Sequence, residues 1–140
     1  MPVLRYRTGD LTRLWREPCP CGRTTSRIDW LTGRVDDMLV IRGVNVFPTA
    51  IEEVLLGFTE LAPMYRILVE RPAGGLDAMT VEVEHHRDAS IDDLRALERT
   101  VAKRLADVLL ISCELRVLPP GAIERIEAGK AKRVYDRRSM

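Results

Sequence analysis

The 140-residue sequence lacks most features that reveal a function by composition alone. Aromatic residues make up 5% of it, too few for a surface that stacks single-stranded nucleic acid. Charge of one sign is missing as well. The 22 Lys and Arg against 21 Asp and Glu leave a formal net charge of +1, which argues against nucleic acid or an anionic membrane as partner. No apolar run approaches the roughly 18 residues a membrane span needs, and the first residues carry no signal-peptide pattern. Three cysteines are too few, and odd in number, for a disulfide framework, so a cytoplasmic location is expected. There is also no internal repeat and no Gly/Ser/Thr-rich loop that could cradle a triphosphate.

What is present is enough for one modest domain. Hydrophobic residues are 46% of the chain, ordinary for a protein that buries a core. The pattern changes near Asp36. Before it, short apolar pieces (Val3 to Tyr6, Leu11 to Trp15, Ile28 to Leu31) alternate with turn-rich stretches such as Pro18-Cys19-Pro20-Cys21-Gly22. Three such strands cannot form a core of their own. After it, Met38 to Ile41 reads as a strand, and Gly43-Val44-Asn45 as a hairpin corner, because Gly and Asn tolerate positive φ. Pro48 suits the first turn of a helix whose stripe is Ile51, Val54, Leu55 and Phe58, with Glu52 and Glu53 near its positive end.

Tyr65 to Glu70 then reads as a strand, and Met79, Val81 and Val83 alternate with polar residues as another. Ser90 and Asp93 suggest a capping box ahead of a helix carrying Ile91, Leu94, Leu97, Val101, Leu105 and Val108. Cys113, Leu115 and Val117 mark a last strand. The order predicts an α+β fold, with helices on one side of a mainly antiparallel sheet. From about residue 119 the chain is rich in Arg and Lys with few core-type residues, and is expected to be a mobile basic tail.

Four stretches stand out together: LRYRTGDLTRL, PCPCGRT, GRVDDMLVIRGVNVFPTAIEEVL and the ending GKAKRVYDRR. In this order and spacing the chain resembles the C-terminal portion of the adenylate-forming acyl- and aryl-coenzyme A ligases, most closely the phenylacetate–coenzyme A ligase branch. The resemblance covers essentially the whole chain. It implies that residues 1–35 are the β-rich end of a large adenylation domain and that residues 36–140 are the small C-terminal domain, with a hinge at about 36. The implied activity joins a carboxylic acid, phenylacetate or a related aryl or acyl acid, to coenzyme A at the expense of ATP, through an acyl-adenylate. AMP and pyrophosphate are the other products, with Mg accompanying ATP. The partner would be the large N-terminal domain, without which the chain would be inactive.

The resemblance also assigns residues. Asp10 falls at the family's ribose-binding position, where one carboxylate can accept both hydroxyls of a cis-diol; from the residues alone it is an Asx-turn residue. Arg34 falls beside the nucleotide, and by itself reads as a surface ion pair. Asp36 matches the hinge, a position that absorbs backbone rotation between domains. Gly43, Val44 and Asn45 match the loop facing the site during thioester formation, where Gly43 lets the backbone approach the pantetheine arm. Many superfamily members carry an arginine in the place of Asn45, so no phosphate role passes to it. Lys130 matches the late lysine that steadies phosphate and carboxylate during adenylation, with Lys132 as rival; the segment before it is one residue longer than the family's usual spacing. Cys19 and Cys21 supply half of a tetrahedral zinc site at most, which the large domain would have to complete. Two other readings are a non-catalytic interaction or regulatory module retaining this fold, and a small zinc-dependent nucleic-acid binder.

Overall fold

The structure, a computed structural model, describes residues 7–89, 93–125 and 132–138. The chain divides into two compact units, Met1–Met38 and Leu39–Met140. In the first, β1 (Asp10–Leu11) pairs antiparallel with β4 (Gly33–Arg34), and β2 (Leu14–Trp15) pairs antiparallel with β3 (Arg27–Ile28). A single 3-10 turn, Val35–Asp37, follows β4. Strands of two residues bury little: Trp30 is 89% exposed, and Ile28, Leu31 and Leu14 are also exposed.

The second unit begins with a hairpin of β5 (Leu39–Ile41) and β6 (Val44–Val46). The corner expected at residues 43–45 lies one residue earlier. Arg42 and Gly43 are its two central residues, with φ of 51° and 80°, and Val44 and Asn45 belong to β6. A two-residue turn of this kind needs positive φ twice, and only Gly43 adopts it without strain. Arg42 is held there by its side chain, whose Nε donates to the Asp77 carbonyl at 2.6 Å and whose Nη1 donates to Ser112 Oγ at 3.4 Å.

Helix α1 (Pro48–Leu56) starts on the expected proline and buries Ile51, Val54 and Leu55. Glu52 and Glu53 lie beyond its first turn, and Glu52 instead pairs with Arg133. Strand β7 (Leu61–Glu70) begins four residues before the expected start, and its register with β8 (Ala78–His85) shifts between Leu61 and Tyr65. Pro63 sits inside that shift, where a residue without an N–H cannot extend the ladder. Helix α2 (Leu94–Leu109) is capped by Asp93, which accepts the Ala96 N–H at 2.9 Å, so Asp93 takes the N-cap place expected of Ser90; Ser90 itself lies outside the described residues. Strand β9 (Glu114–Leu118) follows.

The main sheet runs in the order β10-β7-β8-β9, with β10 at Val134–Asp136. Its central pair, β7 with β8, is antiparallel, while β10 and β9 each join in parallel. Four of the six strand pairings described are antiparallel. Helix and sheet residues share one core: Ile51, Val101 and Leu105 from the helices meet Ile67, Val69, Val81 and Val83, all fully buried. The other sheet face carries Arg66, Glu82 and Arg116 side by side in register.

The expectation of a mobile basic tail needs correction at its end. Residues 134–136 pair with Ile67, Leu68 and Val69, and Arg133 pairs with Glu52 while donating to Tyr65 Oη at 2.9 Å and lying over its ring. The arginines that read as solvated charge are the anchors of an edge strand. Upstream, Ile123 is buried against Glu84, so the stretch after Leu118 is docked there as well.

Candidate nucleotide and thioester-face residues

In the first unit the fold brings Asp10, Arg34 and Asp36 together. Asp10 and Arg34 are cross-strand partners in the β1–β4 ladder, and Asp36 follows two residues later on the 3-10 turn. Arg34 Nη2 donates to Asp36 Oδ2 at 3.0 Å, and Nη1 lies 3.8 Å from Asp10 Oδ1. The hydrogen bond to Asp36, with Asp10 nearby, raises the Arg34 pKa and keeps the guanidinium charged. Gly9 makes the arrangement fit. Its φ is +77°, Val35 N–H donates to its carbonyl at 2.7 Å, and a Cβ there would sit 2.8 Å from Asp36 Oδ2. Asp10 is partly shielded and Asp36 is open. One guanidinium thus steadies two carboxylates, and Asp10 keeps acceptor capacity for a pair of hydroxyls.

Cys19 and Cys21 share a loop between β2 and β3, their sulfurs 3.0 Å apart, with the Cys21 thiol donating. That bond lowers the Cys19 pKa. Among the described residues no group of three or more His, Cys, Asp or Glu side chains converges on one point. The pair therefore supplies two donors where a closed zinc site needs four, and this chain's described residues do not fit such a site.

In the second unit Gly43, Val44 and Asn45 lie on the β5–β6 hairpin, with Gly43 at the lip of a cleft of about 480 Å³ lined also by Val40, Arg42, Arg71, Leu76, Asp77 and Arg138. Sequence reasoning missed this group. Asp77, 6% exposed, accepts from Arg71 Nε at 2.6 Å and Arg138 Nη1 at 2.9 Å, while its carbonyl holds Arg42. The Arg71 hydrogen bond first, and Arg138 with it, pull the Asp77 pKa down from 3.8 to about 2. Arg138 also donates to the Val40 carbonyl at 2.8 Å and to Asp136. Asp77 thus ties the Gly43 turn, the β7–β8 loop and the end of β10 into one unit. Its only local signal was an acid after Gly74-Gly75; its partner Arg138 is 61 residues away. A groove of about 610 Å³ between α1 and α2 contains none of the expected residues. Lys130 lies outside the described residues, and Lys132 lies over the Tyr135 ring at 5.3 Å.

Comparison with known proteins decides the family. The model of the AMP-binding enzyme C-terminal domain matches residues 43–138. The chain belongs to that family. As an AMP-binding enzyme C-terminal domain it is 42% identical, over 99% of its length, to 34% of a phenylacetate-coenzyme A ligase of Thermus thermophilus. A solved domain of the phenylacetate-coenzyme A ligase from Bacteroides vulgatus matches 74% of this chain and 95% of its own, with a TM-score of 0.67 and 39% identity. A 2-hydroxyisobutyryl-CoA ligase in the postadenylation state, in complex with 2-HIB-AMP, matches 92% of this chain and 28% of its own, with a TM-score of 0.76 and 31% identity. The chain spans about a third of the length of the curated relatives it matches. The α+β fold expected from the helical and strand patterns is the fold of these C-terminal domains.

Proposed function

We propose that this chain is the C-terminal part of an ATP-dependent acid–coenzyme A ligase, acting on phenylacetate or a related aryl acid. The observation that carries this reading is 42% identity with a phenylacetate-coenzyme A ligase along 99% of the chain. The intact reaction converts acid, ATP and coenzyme A to acyl-coenzyme A, AMP and pyrophosphate. Activating the carboxyl as its adenylate replaces a poor leaving group with a good one before the thiol attacks. The partner is a large N-terminal adenylation domain, and the site of action is the cytoplasm. The exposed Trp30, Leu31 and Ile28 of the first unit support a partner surface of that kind.

In this reading Asp10 accepts the ribose hydroxyls, Arg34 contacts the nucleotide and orients both carboxylates, and Asp36 is the hinge between residues 1–35 and 36–140. The Gly43 turn, with Val44 and Asn45 behind it, faces the thioester-forming step. Its positive φ pair and the Arg42 anchor support a preformed turn. Lys130 stabilises the charge that builds on phosphate during adenylation. Magnesium enters as the counter-ion that accompanies ATP.

The test supplies the chain with the large domain of a phenylacetate-coenzyme A ligase and measures acid-dependent ATP–pyrophosphate exchange. Exchange should require both parts. The Lys130→Ala variant should lose exchange yet still form thioester from supplied acyl-adenylate. Retained exchange in that variant removes Lys130 from the assignment, and no exchange with the unaltered chain sinks the ligase reading in favour of an interaction module.

A further inference from the structure

The β5–β6 hairpin carries the Gly43 turn, and little in its backbone fixes it. Among the described residues it is a two-stranded sheet of its own, sharing no ladder with the β10-β7-β8-β9 sheet. Leu39, Ile41 and Val46 seat one face of it in the core, but apolar packing is non-directional and leaves the turn free to tilt. The turn is strained as well, since Arg42 holds a φ of 51° that a residue with a Cβ disfavours. Two short polar contacts from outside the hairpin oppose both tendencies. Arg42 Nε donates to the Asp77 carbonyl at 2.6 Å, and Arg138 Nη1 donates to the Val40 carbonyl of β5 at 2.8 Å. Both lead to one residue, because Arg138 Nη1 also donates to Asp77 Oδ2 at 2.9 Å. The bond from Arg42 to Ser112, at 3.4 Å, is weaker.

We propose that Asp77 is a positioning residue for thioester formation, holding the Gly43 turn in its competent shape through Arg42 and Arg138. This role rests on the ligase reading, which assigns that turn to the second half-reaction. Asp77 is suited to it. The residue is buried, and its β7–β8 loop is closed by the Gly75 N–H, which donates to the Pro72 carbonyl at 2.9 Å. One carboxylate oxygen takes Arg71 Nε at 2.6 Å and the other takes Arg138, so the side chain is held from two sides. The main-chain carbonyl is left to receive Arg42. The turn is thereby ordered during folding and not when coenzyme A arrives. Apparent affinity then carries no penalty for a rarely populated turn.

The experiment pairs the full chain with the large domain and follows the two half-reactions separately in Asp77→Asn, whose amide NH2 turns toward one of the two guanidinium groups. Acid-dependent ATP–pyrophosphate exchange should stay within about twofold of the parent, because the turn is not used there. Thioester formation from supplied acyl-adenylate should need about tenfold more coenzyme A, with little change in rate at saturation, since bound coenzyme A re-forms the turn. Arg138→Ala should show the same split, and the double variant should add little, because both changes cut one connection. A second readout needs only the chain itself. Backbone order parameters at Gly43 and Val44 should fall from about 0.85 to below about 0.6 in Asp77→Asn, while Ile67 and Val81 keep theirs. Equal losses in both half-reactions make Asp77 a purely structural residue and overturn the proposal, as do unchanged order parameters at the turn. If the unaltered pair supports neither half-reaction, the ligase reading falls and the thioester role with it, whereas the order parameters still decide whether Asp77 holds the turn.

Discussion

Removing the Glu84 carboxylate should loosen the stretch after β9 more than any other single polar change in the second unit. Glu84 is 1% exposed at the end of β8, and it accepts the Ile123 N–H at 2.7 Å. A hydrogen bond to a charged acceptor contributes about 1.5–3 kcal/mol, and a buried donor left without a partner loses most of that. Glu84→Ala also removes packed side-chain volume, while the desolvation cost of the carboxylate is recovered. The net destabilisation should be about 2 kcal/mol. Glu84→Gln keeps a carbonyl oxygen in reach and should cost roughly half as much. With a urea slope of about 1–3 kcal/mol per molar, the alanine variant should lower the unfolding midpoint by roughly 1 M. Amide exchange gives the local readout: Ile123 should lose roughly 30-fold in protection, the same 2 kcal/mol expressed as an equilibrium ratio. If the Ile123 amide exchanges as slowly in the alanine variant as in the parent, the carboxylate does not hold this stretch and the reasoning fails.

Two further outcomes follow from the same structure. The Asp77 pKa is lowered from 3.8 to about 2, so its ion pairs stabilise the fold above the ordinary carboxylate range and are lost as pH falls through about 2. The Asp77→Asn variant should therefore melt below the parent at neutral pH, and the gap should close between about pH 4 and 2; a gap that stays constant over that range refutes the role. Leu105 is fully buried where α2 meets the sheet, so Leu105→Ala should cost about 2–5 kcal/mol in urea unfolding. Leu110→Ala, at a position 81% exposed, should change little, and equal effects at both sites would contradict the core described.

The sequence was most legible where one period persisted over a whole element. Val101, Leu105 and their helical neighbours located α2, and Met79, Val81 and Val83 located β8, because burial of one face imposes the period locally. Strand β10 was illegible. Three residues flanked by arginines carry no period, and what makes them a strand is a ladder to Ile67, Leu68 and Val69, far away along the chain. The basic residues there look solvated until their partners are in place: Arg133 with Glu52 and Tyr65, Arg137 with Glu70, Arg138 with Asp77. The turn at Arg42 was misplaced by one residue for the same reason, since the contact that holds its positive φ comes from Asp77.

Of the candidate site, the sequence supplied the residue types and their order but not their company. It marked Asp10, Arg34 and Asp36 one by one; the β1–β4 ladder, with Gly9 open enough to admit Asp36, is what gathers them around one guanidinium. By itself, then, the sequence determined an α+β module with two helices over one sheet, since periodicity, caps and prolines act within a few residues. Only the tertiary structure decided that the basic end closes an edge strand and that Asp77 joins three distant segments. Ion pairs between residues 61 or more apart exist only after the chain has closed, and no local pattern records them.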